Sequence, residues 1–237
     1  QEARIAANMA NALCILGRIG EALASYARGI VIGQELGDER LEALIAINFG
    51  STHCSFVGPD AAVVAQVRRA LAWGEAVGDD LSVGQAWNIL AMDAAYRDDL
   101  AQARAHLDQS IAAFERVDYA YVKAQALRAQ AQLCQAEGNQ VEALALIRRA
   151  LAVSREISAD HLTYEMRSIE GEILLALGEL DAALAAVSEA ASHAGPDIFQ
   201  SYLLHYRHSR ALLALGREAE ARAALSVAYA ELSALLD

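Results

Sequence analysis

Apolar positions along this chain follow a helical period rather than that of a strand. Ala22, Tyr26 and Gly29 form a triplet at i, i+4 and i+7, with a large residue between two small ones. The triplet returns as Val63, Val67, Ala70; Ala103, Leu107, Ser110; Ala143, Ile147, Ala150; Ala183, Val187, Ala190; and Ala221, Leu225, Ala228. That spacing puts all three residues on one face of a helix. Small residues let a neighbouring helix come close, and the large one fills the remaining gap.

A second signal fixes the hairpins. Gly17, Gly58, Asp98, Gly138, Gly178 and Gly216 stand 41, 40, 40, 40 and 38 residues apart. Glycine and aspartate suit the end of a helix, where the chain needs a left-handed residue or a turn. Seven residues before each turn stand Ala10, Ser51, Ala91, Ala131, Gly171 and Ser209, all small. Four before each stand Leu13, Cys54, Ala94, Cys134, Leu174 and Leu212. A second set of breaks, at Gly37-Asp38, Gly78-Asp79, Asp118 and Ser158, recurs between these turns, and Gly195-Pro196-Asp197 plays the same part before the last unit.

The expected fold is therefore all-α, with about twelve helices in six helix–turn–helix hairpins. First helices are expected near 2–16, 40–57, 81–97, 121–137, 161–177 and 198–215. Second helices are expected near 19–36, 61–77, 100–117, 141–157, 180–194 and 218–236. The units run approximately 1–37, 38–78, 79–118, 119–158, 159–195 and 196–237, as one repeat domain over 1–237. A single hairpin cannot bury its apolar face, whereas stacked neighbours can, which makes the array a one-dimensional solenoid.

Composition sharpens this. Apolar residues make up 55% of the chain but aromatics only 6%, so the apolar content is mostly alanine and leucine, both strong helix formers. The net charge of −12 repels phosphate backbones and anionic membranes, so nucleic acid is not an expected partner. Cys14, Cys54 and Cys134 are odd in number and widely spaced, which reads as reduced thiols in the cytoplasm. The longest uncharged stretch, 43–59, is too polar and too short for a membrane span. The chain starts at Gln1 without methionine and is read as part of a longer protein.

The pattern resembles the tetratricopeptide repeat. That family has a small residue in the first helix, then alanine, a bulky residue and alanine twelve, sixteen and nineteen residues on. Ala91, Ala103, Leu107 and Ser110 show this spacing, as do Ala131, Ala143, Ile147 and Ala150, and Trp87 stands where the family favours tryptophan. The resemblance implies a right-handed α-solenoid over the whole chain. The chain departs from the family in three ways. The period is near 40 rather than 34, no unit has the family's proline, and the equivalents of Trp87 are Ala6, Ile47, Leu127, Arg167 and His205. Lengthened, alanine-rich repeats of this kind are similar to the C-terminal sensor arms of large bacterial regulators, STAND-class transcription activators and multidomain nucleotide cyclases among them.

In that family the first helices line a concave groove. By resemblance, the groove positions here are Ala7 and Asn11, Asn48 and Thr52, Asn88 and Met92, Arg128 and Gln132, Ser168 and Glu172, and Tyr206 and Arg210. Phe56, Tyr96, Gln125 and Gln135 stand beside them. The side-chain amides both donate and accept, which suits a peptide backbone. Arg128 and Arg210 suit a carboxylate. The expected binding set is Asn11, Asn48, Thr52, Asn88, Met92, Tyr96, Arg128, Gln132, Tyr206 and Arg210. The family's lysine-containing carboxylate clamp is absent, since the chain's one lysine, Lys123, lies outside the set.

These features imply a non-catalytic arm of a larger cytoplasmic regulator. Its partner would be a protein or peptide, with a small-molecule effector and a homodimer left open, and no cofactor or metal is expected. His205 and His208 share a helical face near Tyr164 and Glu165 but lack a third ligand, so packing explains them better than metal does. Cys54 and Cys134 fall in one core slot, with Cys14 offset by a residue toward the groove. Asp79-Asp80 and Asp98-Asp99 sit at helix junctions and read as caps rather than a catalytic dyad. Trp87 reads as packing between hairpins, and Trp73 as lying toward the convex side or the next unit. The alternative is a structural scaffold that self-associates through its terminal helices or convex face, because Leu225, Val227, Leu232, Leu235 and Leu236 in the last helix have no following unit to cover them.

Overall fold

The computed structural model describes residues 2–58, 60–117, 119–192 and 201–236, with side chains to 234. Among these residues there are twelve helices and no strand. They are α1 (Glu2–Ile15), α2 (Ile19–Leu36), α3 (Glu39–Phe56), α4 (Ala61–Val77), α5 (Asp80–Tyr96) and α6 (Leu100–Glu115). Then come α7 (Ala120–Ala136), α8 (Gln140–Glu156), α9 (Asp160–Ala176), α10 (Leu180–Ser192), α11 (Ser201–Ala214) and α12 (Glu218–Leu236). The expected breaks at Asp118 and Gly195-Pro196-Asp197 lie outside the described residues.

The turn series has the backbone that its residues imply. Gly17, Gly58, Asp98, Gly138, Gly178 and Gly216 all have positive φ, between 60° at Asp98 and 104° at Gly58. In most of them the next residue's N–H reaches back five residues to close the helix end, as in Arg18 to the Leu13 carbonyl (2.9 Å) and Asn139 to that of Cys134 (2.8 Å). Aspartate and asparagine then cap the following helices. Asp38 accepts from the Leu41 N–H, Asp60 from those of Ala62 and Val63, Asp79 from Ser82, Asp99 from Gln102 and Asn139 from Glu142. Asp79 and Asp99 are thus caps, while Asp80 pairs with Arg116 at 2.6 Å.

The chain forms two compact units, Gln1–Asp118 and Tyr119–Asp237. In the first, the hairpins are α1–α2, α3–α4 and α5–α6, and α2 and α4 each pack on the first helix of the next hairpin. In the second, the hairpins are α7–α8, α9–α10 and α11–α12, with α8 on α9 and α10 on α11. The small–large–small triplets of α2, α4, α6, α8 and α10 are buried throughout, with Ile147 of α8 and Val67 of α4 fully enclosed. Burying a side chain of that size stabilises by about 1.5–3 kcal/mol. Among the described side chains of α12 only Ala221 and Ala228 are buried, and Leu225 is exposed.

One unit is out of phase with the sequence reading. Ser51, taken as the small contact residue of α3, is exposed, and Gly50 takes that place. A Cβ on Gly50 would lie 2.5 Å from Val67 Cγ2. The reason lies at the hairpin tip. Elsewhere the residue after the left-handed position donates the closing hydrogen bond, but residue 59 is proline and has no N–H. Gly58 donates instead, to the His53 carbonyl at 3.0 Å, so the helix closes one residue earlier. In phase with Gly50, it is Cys14 and Cys54, 40 residues apart, that share a slot, and Cys134 is the one offset.

Candidate functional site

On the first unit, the first-helix faces of α1, α3 and α5 carry neutral polar groups. Tyr26 of α2 donates to Asn11 Oδ1 at 2.5 Å, and Cys14 Sγ lies 3.9 Å from the same phenol and 3.7 Å from Thr52 Oγ1. Asn11 and Thr52 are thus joined through Cys14 and Tyr26 into a polar seam between α1 and α3. Burial, followed by the nearby Cys14, pushes the Tyr26 phenol well above its ordinary pKa. Asn48 and Asn88 differ from these two. Both are half-buried, and among the described residues neither has a hydrogen-bond partner. Met92 is half-buried against the core beside Asn88, and Tyr96 is exposed at the end of α5.

The second unit's first-helix face is ionic. Arg128 of α7 lies 3.1 Å from Glu165 of α9 and also donates to Gln125 (2.8 Å) and Gln132 (3.3 Å). Glu172 of α9 takes two arginines of α11, Arg207 and Arg210, each at 2.8 Å. Arg207 also donates to Ser168 at 3.2 Å, and Arg210 sits 6.0 Å over the Tyr206 ring. The expected residues Arg128, Gln132, Tyr206 and Arg210 are therefore engaged inside the protein. Arg207 and Glu165 complete this ladder and were missed as site residues. The signal for them was opposite charge about one repeat apart in the sequence, at 128 and 165 and at 172 and 210.

A tetratricopeptide-repeat family pattern matches residues 82–156. Solved structures share the fold over nearly the whole chain. A Rap protein complexed with competence and sporulation factor superposes with a TM-score of 0.76 at 13% identity, over 98% of this chain and 65% of that one. BtubC from P. vanneervenii gives 0.66 at 13% identity, over 92% of both chains. Kinesin-light-chain repeats from Podosopora anserina give 0.57 at 16% identity, over 81% of this chain and 94% of theirs.

Residues 82–156 match the tetratricopeptide repeat, and the chain has the tetratricopeptide-like repeat fold.

It spans less than two thirds of the Rap chain it matches. No curated protein matches its sequence. In tetratricopeptide terms the small first-helix residues are Ala10, Gly50, Ala91, Ala131, Gly171 and Ser209. The tryptophan slot then holds Ala6, Ala46, Trp87, Leu127, Arg167 and His205. Trp87 lies tilted against His106 of its own hairpin, with ring centres 5.0 Å apart. Burial and then Arg68 pull the His106 pKa down. Trp73 is half-buried in a cleft of about 400 Å³, facing Glu39, Ala43 and Ala46 of its own hairpin partner α3.

In the α9–α10 hairpin the tryptophan slot is ionic. Arg167 pairs with the buried Glu170 and lies 3.0 Å from Glu189 of α10. Arg148 of α8 reaches the same Glu170 at 2.8 Å. Burial pulls the Arg167 pKa down, but Glu170 and then Glu189 outweigh this and raise it above its ordinary value. The two histidines point to different partners, His205 to Glu231 at 3.6 Å and His208 to Ser188 at 3.2 Å. Among the described residues no three metal-ligating side chains converge.

Cys54 is fully buried, and burial, then the charge of Asp93, pushes its thiol up to about 11. Cys14 and Cys134 are half-buried. At mildly alkaline pH a thiol reagent is expected to label Cys14 and Cys134 of the folded chain quickly and Cys54 only as the fold opens, because the thiolate is the reactive form. Counting released chromophore over time, before and after denaturant, checks this. Three equivalents released in one fast phase would contradict the buried placement of Cys54.

Proposed function

We propose that this chain is a protein- or peptide-binding, ligand-sensing arm of a larger cytoplasmic regulator, and that its ligand binds on the first-helix faces. The observation that carries this reading is the pair Asn48 and Asn88. A half-buried amide with no partner inside the protein is left with donors and acceptors that only solvent or a ligand can meet, and an extended peptide backbone offers both. The same fold is found in a Rap protein that was crystallised with competence and sporulation factor, which supports a bound-partner role. The net charge of −12 favours a partner of basic or neutral character over nucleic acid. No described helix is long and apolar enough to cross a membrane.

The ionic face of the second unit would act differently. Glu165 and Glu172 hold the arginines in place, so a ligand carboxylate would have to displace them. That makes Arg128→Ala a poor probe, because it breaks an internal pair as well as any contact with a ligand. Asn48→Ala combined with Asn88→Ala removes no internal hydrogen bond.

The test is capture of a partner from the source cells on wild-type and double-variant baits. Affinity for any recovered partner is then measured with purified components. Two hydrogen bonds at about 1 kcal/mol each predict at least a tenfold loss in the double variant, with an unchanged thermal melt. Equal affinity for both baits would remove this face from the binding site.

A further inference from the structure

We propose that the cleft between α3 and α4 is a binding site for a small organic cation, an amine carried on an aromatic or short apolar frame. The cleft lies where the start of α3 meets the end of α4, and its volume is about 400 Å³. That is within the range of small-molecule sites, at the low end. Its origin can be read from the repeat. In the next hairpin Trp87 of α5 lies against His106 of α6. The residues of α3 and α4 at those two positions are Ala46 and Gln66, and both line the cleft. Leu127 of α7 and Arg167 of α9 are large residues at the Trp87 position. Helix α1 has a small one, Ala6, but its counterpart Ser25 on α2 is small and buried too, so that hairpin closes over the position.

The walls of the cleft define the chemistry of its ligand. Trp73 of α4 stands where α2 has Ile32, and it supplies an aromatic wall. Ala43, Ala46 and Ala70 supply a buried apolar floor. The charged groups are Glu39 and Glu42 of α3 and Arg69 of α4. Arg69 is already engaged, since it lies 3.1 Å from Glu42 and also donates to Gln66. Glu42 accepts a further hydrogen bond from Gln34 at 2.8 Å. Glu39 is exposed, and its side chain has no ion pair or hydrogen bond among the described residues. One carboxylate is therefore left without a counter-charge in a cleft with an aromatic wall. A ring face and a carboxylate both attract a cation, and an apolar frame completes the fit to the alanines. An anion would meet Glu39 and the field of a chain of net charge −12. Asn48 and Asn88 do not line the cleft, so this proposal and the reading of the first-helix face fail independently.

The experiment is a titration of the isotope-labelled chain with phenethylamine, followed by NMR through the indole N–H signals. The chain has two tryptophans, and Trp73→Phe assigns their signals. Phenethylamine is expected to shift the Trp73 signal saturably and to leave that of Trp87 in place. Phenethyl alcohol keeps the ring and the chain but has no charge, and hydrocinnamate carries the opposite charge. The alcohol is expected to bind about fivefold more weakly than the amine, as for the loss of one exposed charge contact. Hydrocinnamate is expected not to bind. Glu39→Gln removes no internal contact, so it is expected to keep the wild-type melt and to cut the preference for amine over alcohol to less than about twofold. Four results would overturn the proposal. These are a Trp73 signal that no probe moves, equal movement of both indole signals, equal affinity of the wild type for amine and alcohol, and a preference for the amine that survives Glu39→Gln.

Discussion

Glu170→Gln is expected to destabilise the second unit by about 3 kcal/mol, at the low end of the 3–5 kcal/mol typical of a broken buried ion pair. Glu170 is the buried centre of a network linking α8, α9 and α10, where it takes Arg148 and Arg167. The amide keeps the shape but loses the charge that both guanidinium groups face. Arg148 is half-exposed and can turn to water, and Arg167 keeps Glu189, which is why the low end of the range is expected. Urea unfolding checks the value through a lower midpoint at constant slope. Arg167→Leu combined with Glu170→Leu is expected to recover most of the loss, since apolar residues of similar volume often replace a buried pair without penalty. A double variant no more stable than Glu170→Gln would show that the pair itself contributes net stability.

Gly171→Val is expected to cost about 3 kcal/mol, by overpacking. A Cβ on Gly171 collides with Val187 Cγ1 and lies 3.2 Å from the Ala183 carbonyl. Val187 is β-branched in a helix and holds one preferred rotamer, so it cannot turn aside cheaply. Gly171→Ala is expected to cost less, about 1 kcal/mol, because alanine's better helix propensity offsets part of the clash. Pairing Gly171→Val with Val187→Ala vacates the space and is expected to restore most of the lost stability. Thermal melts of the three variants decide this, and a destabilisation that Val187→Ala does not relieve would place the strain elsewhere.

The helices and hairpins were legible because alanine, leucine and glycine recur at the spacing that a helix face and a left-handed turn demand. Asp98 was placed by position alone, and its φ of 60° agrees. The phase of α3 was misread because the cause is a backbone N–H missing from Pro59, which an apolar pattern does not register. Among the candidate residues, Asn48 and Asn88 were expected in the groove by resemblance, and both are half-buried. The Arg128–Glu165 and Glu172–Arg210 pairs were not expected, since their partners lie 37 and 38 residues away, outside any local window.

The shifted closure of α3 bears on how such a chain changes over generations. One residue added within a helix turns everything after it by about 100°. In the α3–α4 hairpin the extra residue lies in the tip, beyond the hydrogen bond from Gly58 to the His53 carbonyl, and Val63, Val67 and Ala70 of α4 still face inward. The tip resets the phase. Single insertions at a hairpin tip can therefore be absorbed one hairpin at a time, and the repeats can differ in length while their buried contacts are kept.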